Sequence, residues 1–235
     1  MSMTMPVRRI PPNGRSLTGR VARPLDEESA EFESSLERDL YSLLVFDKRR
    51  YASFEVQPVR IPFINDEGRI RTYTPDVLIH FTADPTTGYR PRPVLGEVKY
   101  REDLFKNWKE LKPKFKAARA FSREQGWQQF RIFTEIEIRT QYLENVKFLR
   151  GFTRMELVPD DASLLLNTLT TLHITTPESL LSICCGDQRR RLELMPTLWQ
   201  LIALNQIGCN LDEPLTMVSP IWPLAPPAIN REDNP

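Results

Sequence analysis

Two carboxylates and one lysine are the residues of this sequence best placed to do chemistry together. Asp76 stands at the head of the apolar run Val77–Phe81, and Glu97 and Lys99 lie two positions apart in the next apolar run, Val94–Tyr100. Because side chains alternate between the two faces of a strand, Glu97 and Lys99 share one face. Two adjacent strands therefore bring two carboxylates and one ammonium into one small cluster.

Such a cluster suits the hydrolysis of a phosphodiester. The carboxylates of Asp76 and Glu97, together with the carbonyl of Val98, are hard oxygen ligands of the kind that Mg²⁺ takes. The metal lowers the pKa of a bound water and neutralises charge on the phosphate, while Lys99 orients the water or the phosphate. These residues alone leave an alternative open, because a cross-strand salt bridge of Lys99 explains the same pattern.

A further carboxylate comes from an upstream amphipathic segment. Leucine and phenylalanine recur at helical spacing from Leu25 to Leu44, and acids crowd the first turns, so the pattern predicts a helix that begins near Leu25. Glu33 and Glu37 lie one turn apart and share a face of this helix. A solvated helix face is the ordinary interpretation, but both acids interleave with core positions. If one of them points over the edge of the sheet, it supplies a third carboxylate and completes a two-metal site.

The surrounding pattern predicts an α/β domain. After the first helix come β-prone runs from Tyr51 that are broken by prolines, then a turn and a strand, then the two strands of the cluster. A cationic helix, a strand and a short helical stretch follow. The predicted bounds are Asn65–Gly68 for the turn, Ile70–Tyr73 for its strand, Asp103–Gln125 for the cationic helix, Phe130–Thr134 for the last strand and Asn145–Leu149 for the helical stretch.

The pattern changes past Gly151. Three helices are predicted at 164–172, 177–185 and 189–205, and a two-stranded hairpin at 207–222, which is typical of a winged-helix-like unit. The sequence therefore predicts four segments: a basic Pro- and Arg-rich arm at 1–24, the α/β domain at 25–150, the winged-helix-like domain at 151–222 and a Pro-rich tail at 223–235.

Charge is divided unevenly between the two predicted domains. The 235 residues carry a net charge of +1, but residues 1–150 hold 27 Lys and Arg against 21 Asp and Glu, whereas residues 151–235 hold 5 against 10. The basic part suits a polyanion, and the acidic part is repelled by phosphate. This division indicates two domains with different partners.

Composition excludes several classes of protein and site. No apolar run reaches the roughly 18 residues that a membrane span needs, and the N-terminus lacks the apolar core of a signal peptide, so we expect a cytoplasmic protein without membrane contact. The three cysteines form no C-x-x-C pair, which argues against a disulfide framework or a zinc site. With two histidines, a Ser-His-Asp triad is poorly supplied.

The order of these motifs resembles the PD-(D/E)xK nucleases, which have a restriction-endonuclease-like fold with a mixed sheet flanked by helices. More narrowly, it resembles TnsA, the endonuclease subunit of heteromeric cut-and-paste transposases, and especially the short TnsA proteins of CRISPR-associated transposons. The resemblance covers most of residues 16–150. The matching stretches are Ser16–Arg20, Glu33–Leu40, Phe54–Pro58, Tyr73–Leu78, Gly96–Tyr100 and Phe133–Ile138, with Asn145.

This resemblance implies catalytic roles and a bacterial source. Some members carry Gln where this sequence has Glu97, so Glu97 is closer to the general nuclease pattern. The Gln57-Pro58 pair also matches, which makes Gln57 a possible DNA contact. The residues that the resemblance assigns to catalysis are Glu37, with Glu33 as the fallback, Asp76, Glu97 and Lys99.

Cofactors and partners are implied as well. One or two Mg²⁺ ions, replaceable by Mn²⁺, are held by Glu37, Asp76, Glu97 and the Val98 carbonyl. The family cuts the 5′ strand at each transposon end, while a DDE-type transposase, TnsB, cuts and joins the 3′ ends. Its C-terminal domain is winged-helix-like and engages partners that include the AAA+ regulator TnsC. Possible DNA contacts follow the catalytic strand at Lys106, Lys109, Lys112 and Lys116, although a solvated cationic face is the alternative.

Two other functions stay open at this point. A stand-alone restriction or repair nuclease would cut DNA by itself, but the small basic excess and the acidic C-terminal part argue against strong independent DNA binding. A non-catalytic assembly subunit on a nuclease fold is the rival from another class. The intact set of Glu37, Asp76, Glu97 and Lys99 argues against it.

Overall fold

The computed structural model describes residues 19–21, 30–32 and 34–224. The chain divides into two compact units, Met1–Arg139 and Thr140–Pro235. The elements of the first unit are, in chain order, β1 (Gly19–Val21), β2 (Ala30–Phe32), α1 (Ser35–Phe46), β3 (Tyr51–Val56), β4 (Ile61–Ile64), β5 (Ile70–Tyr73), β6 (Val77–Phe81), β7 (Val94–Val98), α2 (Arg101–Glu124), β8 (Gln129–Phe133) and α3 (Glu135–Ile138). Among the described helices, none combines the length and the apolar character needed to cross a membrane.

A four-stranded mixed sheet forms the centre of the first unit, with the strand order β3-β6-β7-β8. Strands β3, β6 and β7 are antiparallel neighbours, whereas β7 and β8 are parallel and are joined by α2. In the antiparallel pair, Val77 lies opposite Gly96. Asp76 precedes Val77 and donates its N–H to the Gly96 carbonyl at 3.1 Å, and Glu97 follows Gly96, so the two acids lie at the same end of the β6–β7 pair.

Helices cover both faces of this sheet, as the α/β prediction requires. Alternation along β6 puts Val77 and Ile79 against α1 and turns Leu78 towards α2. The α1 side buries Leu36, Leu40, Tyr41 and Leu44. The α2 side buries Leu111, Phe115 and Ala118. The restriction-endonuclease-like mixed sheet with flanking helices is therefore present.

The first helix begins at Ser35, not near Leu25, so its predicted start was wrong. Ala30–Phe32 form a strand that pairs with Gly19–Val21. The Ser34 side chain then caps the helix by accepting a hydrogen bond from the Glu37 N–H at 3.2 Å. Glu33 lies outside the described residues, and so does the predicted arm at 1–24 apart from Gly19–Val21.

The second unit contains the three predicted helices and the hairpin, preceded by one more helix. Its elements are α4 (Gln141–Leu149), α5 (Pro159–Leu172), α6 (Pro177–Cys184), α7 (Gln188–Ala203), β9 (Ile207–Cys209) and β10 (Ile221–Pro223), with the two strands antiparallel. Helix α5 starts earlier than predicted because proline occupies its first position, where its missing N–H costs nothing. The winged-helix likeness stays a prediction, and the tail beyond Leu224 lies outside the described part.

Helix α4 belongs to the second unit, whereas the sequence pattern put the division at Gly151. The buried Asn145 side chain explains the difference. Its amide donates to the carbonyls of Leu211 at 2.8 Å and Glu213 at 2.7 Å, and its carbonyl accepts from the Leu215 N–H at 3.2 Å. These long-range bonds tie α4 to the segment between β9 and β10.

Gly96 is required by the close approach of its neighbours. A Cβ added there would stand 2.7 Å from Val77 Cγ1 and 2.8 Å from Phe133 Cε2. Gly96→Ala is therefore expected to cost about 1–3 kcal/mol of stability, measured as a lower Tm in thermal unfolding. Gly186→Ala is the matched control, because its Cβ meets nothing within 4 Å. An unchanged Tm for Gly96→Ala would contradict this packing.

Candidate active site

Asp76 lies immediately before β6 and is held through its backbone on both sides. Its N–H donates to the Gly96 carbonyl at 3.1 Å, and its carbonyl accepts from the Gln57 N–H at 2.9 Å and the Tyr41 hydroxyl at 3.3 Å. Its carboxylate Oδ2 accepts from the Val98 N–H at 2.7 Å. These bonds fix the carboxylate against the end of β7.

Glu97 is the most enclosed acid of the cluster, with only 2% of its surface exposed. The Tyr73 hydroxyl donates to its Oε2 at 2.6 Å. Two ammonium groups lie near its other oxygen, with Nζ of Lys99 at 3.6 Å and Nζ of Lys114 at 3.4 Å from Oε1. Glu97 is therefore held by a phenol and two lysines at once.

Electrostatics connect Asp76 to two other acids. Burial raises the pKa of the Asp76 carboxyl well above its usual value, and the nearby charges of Glu97 and Glu37 raise it further. The Val98 hydrogen bond and the Lys99 ammonium act in the opposite direction. The raised pKa of Asp76 therefore has burial as its main cause and the like charges of two neighbouring acids as its second.

Glu37 lies in the first turn of α1 and is 8% exposed. The Ser34 hydroxyl donates to its Oε1 at 3.1 Å. Burial alone would lower the pKa of Lys99, but the charges of Glu97, Asp76 and Glu37 outweigh burial and raise it. Glu37 thus acts on both Asp76 and Lys99, and the structure brings the sequence-predicted helix glutamate into the same cluster.

The donor set fits a hard divalent cation. Among the described residues no group of three His, Cys, Asp or Glu side chains is arranged as metal ligands. Asp76 and Glu97 nevertheless offer carboxylate oxygens at the same end of the β6–β7 pair, and a cation there would offset the repulsion between Asp76 and the charges of Glu97 and Glu37. The Val98 peptide is at the site through its N–H, while its carbonyl stays a predicted ligand.

An open groove of about 900 Å³ borders the cluster between the β4–β5 hairpin and α2. Lys106 and Lys109, two of the predicted DNA contacts, line it. Lys112 and Lys116 are exposed on the same helix but are not among the lining residues, so their contact with DNA stays a prediction from charge alone. Gln57, the other predicted contact, is buried and touches Asp76 through its backbone.

Comparison with known families agrees with this geometry. Residues 49–135 match the family model described as TnsA-like endonuclease N terminal, and residues 137–211 match the model described as TnsA endonuclease C terminal. The chain belongs to the TnsA-like endonucleases. It carries both parts of a Tn7-type transposase nuclease subunit. No curated protein matches the chain.

In this TnsA-like chain, the N-terminal match contains Asp76, Glu97 and Lys99. Helix α1, which carries Glu37, precedes the matched range. TnsA-like nucleases generally depend on divalent metals, which agrees with the oxygen donors described above.

Sequence reasoning missed two residues of this TnsA-like cluster, Tyr73 and Lys114. Lys114 follows Leu111 by three residues and precedes Ala118 by four, so it borders the apolar stripe of α2. Lys112 borders the same stripe on its other side, four residues after Trp108 and three before Phe115, so spacing alone could not single out Lys114. Tyr73 carried no comparable signal, because its contact with Glu97 depends on how the hairpin packs.

A polar network positions α1 beside the end of β7. The Arg139 side chain donates from Nε to Asp39 Oδ2 at 3.0 Å, and from Nη2 to Ser35 Oγ at 2.9 Å and to the Tyr100 hydroxyl at 3.1 Å. Ser35 and Asp39 flank Glu37 in α1, and Tyr100 follows Lys99. The network therefore fixes α1, and with it Glu37, at this end of β7.

Proposed function

We propose that this chain is the metal-dependent DNA endonuclease subunit of a heteromeric cut-and-paste transposase. It cleaves the 5′, non-transferred strands at transposon ends, while a DDE-type transposase of the TnsB kind cuts and joins the 3′ ends. The observation that carries this proposal is the placement of Asp76 and Glu97 at one end of the β6–β7 pair, with Lys99 Nζ 3.6 Å from Glu97. This is the arrangement that phosphodiester hydrolysis needs.

Asp76 and Glu97 are the residues that would hold Mg²⁺, or Mn²⁺ in its place, with the Val98 carbonyl as a further ligand and Glu37 serving a second ion. When bound, the metal supplies a water of lowered pKa and neutralises charge on the phosphate. Tyr73 holds Oε2 of Glu97 and thereby fixes how this carboxylate is presented. The Val98 N–H does the same for Asp76.

Lys99 supplies the positive charge that faces the reacting phosphate. The surrounding carboxylates raise its pKa, so the ammonium stays protonated at neutral pH. It orients the attacking water and the phosphate during an in-line displacement. The water oxygen bonds to phosphorus as the bond to the 3′ oxygen breaks, which leaves a 5′-phosphate and a 3′-hydroxyl without a covalent enzyme intermediate.

We assign partner binding to the second unit. Its helices and its antiparallel β9–β10 pair are compatible with the winged-helix-like domain that engages the transposase and a TnsC-type AAA+ regulator. The acidic balance of residues 151–235 favours protein partners over phosphate. The resemblance to short TnsA proteins supports a transposon of the CRISPR-associated kind.

A strand-labelled transposon end tests this function. The wild-type chain and Asp76→Asn are each incubated with Mg²⁺, the cognate DDE-type transposase and the regulators. We expect the wild type to cut the 5′ strand and release the element, whereas the variant leaves only 3′ joining and gives cointegrates. The same strand pattern from both proteins would overturn the proposal and make the chain an assembly subunit.

A further inference from the structure

Glu97 contacts a lysine that the D/E-x-K motif does not contain. Lys114 comes from α2, and its Nζ lies as close to Glu97 Oε1 as that of the motif lysine, Lys99. We propose that Lys114 is a phosphate-binding residue of the active site and that the strand to be cut lies in the groove between α2 and the β4–β5 hairpin. This rests on the proposed function in that the bound polyanion is DNA.

The charge that the cluster presents to the groove is positive. Asp76, Glu37 and Glu97 outnumber Lys99 and Lys114, so the whole cluster carries one excess negative charge, but Lys114 is its charged member on the groove side. The Lys114 side chain is 21% exposed and lines the groove. In the part of the chain that the structure describes, Glu97 is its one hydrogen-bond acceptor. Its other N–H donors are therefore available to a phosphate oxygen.

Aromatic rings fix where this ammonium sits. Lys114 Nζ lies 4.8 Å from the centre of the Tyr73 ring and 5.4 Å from that of Phe115. Tyr73 also lines the groove and donates to Glu97. Tyr73 and Lys114 are thus the residues at which the groove meets the carboxylates, and a strand that follows the groove passes Lys114 before it reaches them.

The groove has a basic wall along α2. Lys106, Lys109 and Lys114 recur along the helix with one acid, Glu110, among them. Arg71 adds a positive charge from β5. The other lining acids, Asp66 and Glu67, belong to the hairpin turn. Tyr73 pairs with Ile61 at the open end of the hairpin. That end is three residue pairs, or roughly 10 Å, from the pair of Ile64 and Ile70 beside the turn. The acids therefore stand away from the cluster, and the lysine wall leads to it.

Salt dependence of DNA binding tests this assignment without cleavage. Affinity of the full chain for a transposon-end duplex is measured by fluorescence anisotropy with EDTA present, over a series of salt concentrations. Each lost phosphate contact lowers the slope of log K against log salt by about 0.7–0.9. Lys114→Met keeps the apolar stem on Tyr73 and Phe115, and we expect it to lose about one contact. Lys114→Gln should do the same, and Lys114→Arg should keep the wild-type slope.

Arg119→Met is the matched control, because it removes one positive charge from an exposed position of the same helix outside the groove. If DNA is attracted to the charge of the helix as a whole, the two methionine variants should lower the salt slope equally. If DNA lies in the groove, only the Lys114 variant should lower it. A wild-type slope in both Lys114→Met and Lys114→Gln, or an equal loss in Arg119→Met, overturns the proposal. The proposed function fails separately, if the wild type with Mg²⁺ and its partners cuts no 5′ strand.

Discussion

Asp76→Asn is expected to abolish strand cleavage and at the same time to make the metal-free protein more stable. Asparagine keeps a side-chain oxygen for the Val98 N–H but removes the charge. Folding raises the Asp76 pKa, so at neutral pH the ionised carboxylate opposes folding, and its loss relieves repulsion from Glu97 and Glu37. We expect the cleavage rate to fall on the order of 10³-fold. Tm should rise, by about 2–4 °C for each kcal/mol gained.

Single-turnover cleavage and thermal unfolding in EDTA measure the two effects. Asp84→Asn is the control, because the pKa of this exposed carboxyl is shifted in the opposite direction. Hydrogen bonds from Thr87 and Thr86 lower it. It should cut normally and show no rise in Tm. Wild-type cleavage by Asp76→Asn would remove Asp76 from the site. A lower Tm for Asp76→Asn would show that its charge stabilises the fold.

Lys99→Met is expected to lower the cleavage rate at saturating DNA by on the order of 10²–10³-fold while the protein stays folded. Removing a charge aimed at the reacting phosphate costs this much in comparable sites. Folding should persist because Glu97 keeps Tyr73 and Lys114 as partners. The readout is the single-turnover rate at saturating DNA, with circular dichroism to monitor the fold.

Two further variants make the Lys99 result specific. Lys99→Arg keeps the charge and should recover part of the rate. Lys48→Met removes an exposed lysine of the same unit and should cut like the wild type. If Lys99→Met cuts at the wild-type rate, Lys99 is only a salt-bridge partner of Glu97. That was the alternative which the motif alone left open.

Local patterns predicted the strands well. The strands Ile70–Tyr73 and Val77–Phe81 have the predicted bounds, because alternation and flanking turn residues are set by neighbours in the sequence. The cationic helix was also predicted to within two residues at each end, since its apolar stripe is long. Because side chains alternate regularly along a strand, the spacing of Glu97 and Lys99 also indicated that they share a face.

Non-local contacts explain what sequence reasoning missed. Helical spacing upstream of Ser34 was misleading, because strand pairing of Ala30–Phe32 and a serine cap decide where α1 begins. The bonds from Asn145 to residues more than sixty positions away assign α4 to the second unit. Lys114 in α2 contacts Glu97 in β7, and this contact forms only when the helix packs on the strand.

The central claim is that the cluster of Asp76 and Glu97 cuts DNA with a divalent metal. The most direct test is one single-turnover reaction on a strand-labelled transposon end with the partner proteins, run with Mg²⁺, with EDTA, and with Mg²⁺ restored. We predict 5′-strand scission only when Mg²⁺ is present, with 3′-hydroxyl and 5′-phosphate ends. Scission that continues in EDTA, or that Asp76→Asn leaves unchanged with Mg²⁺, would contradict the account.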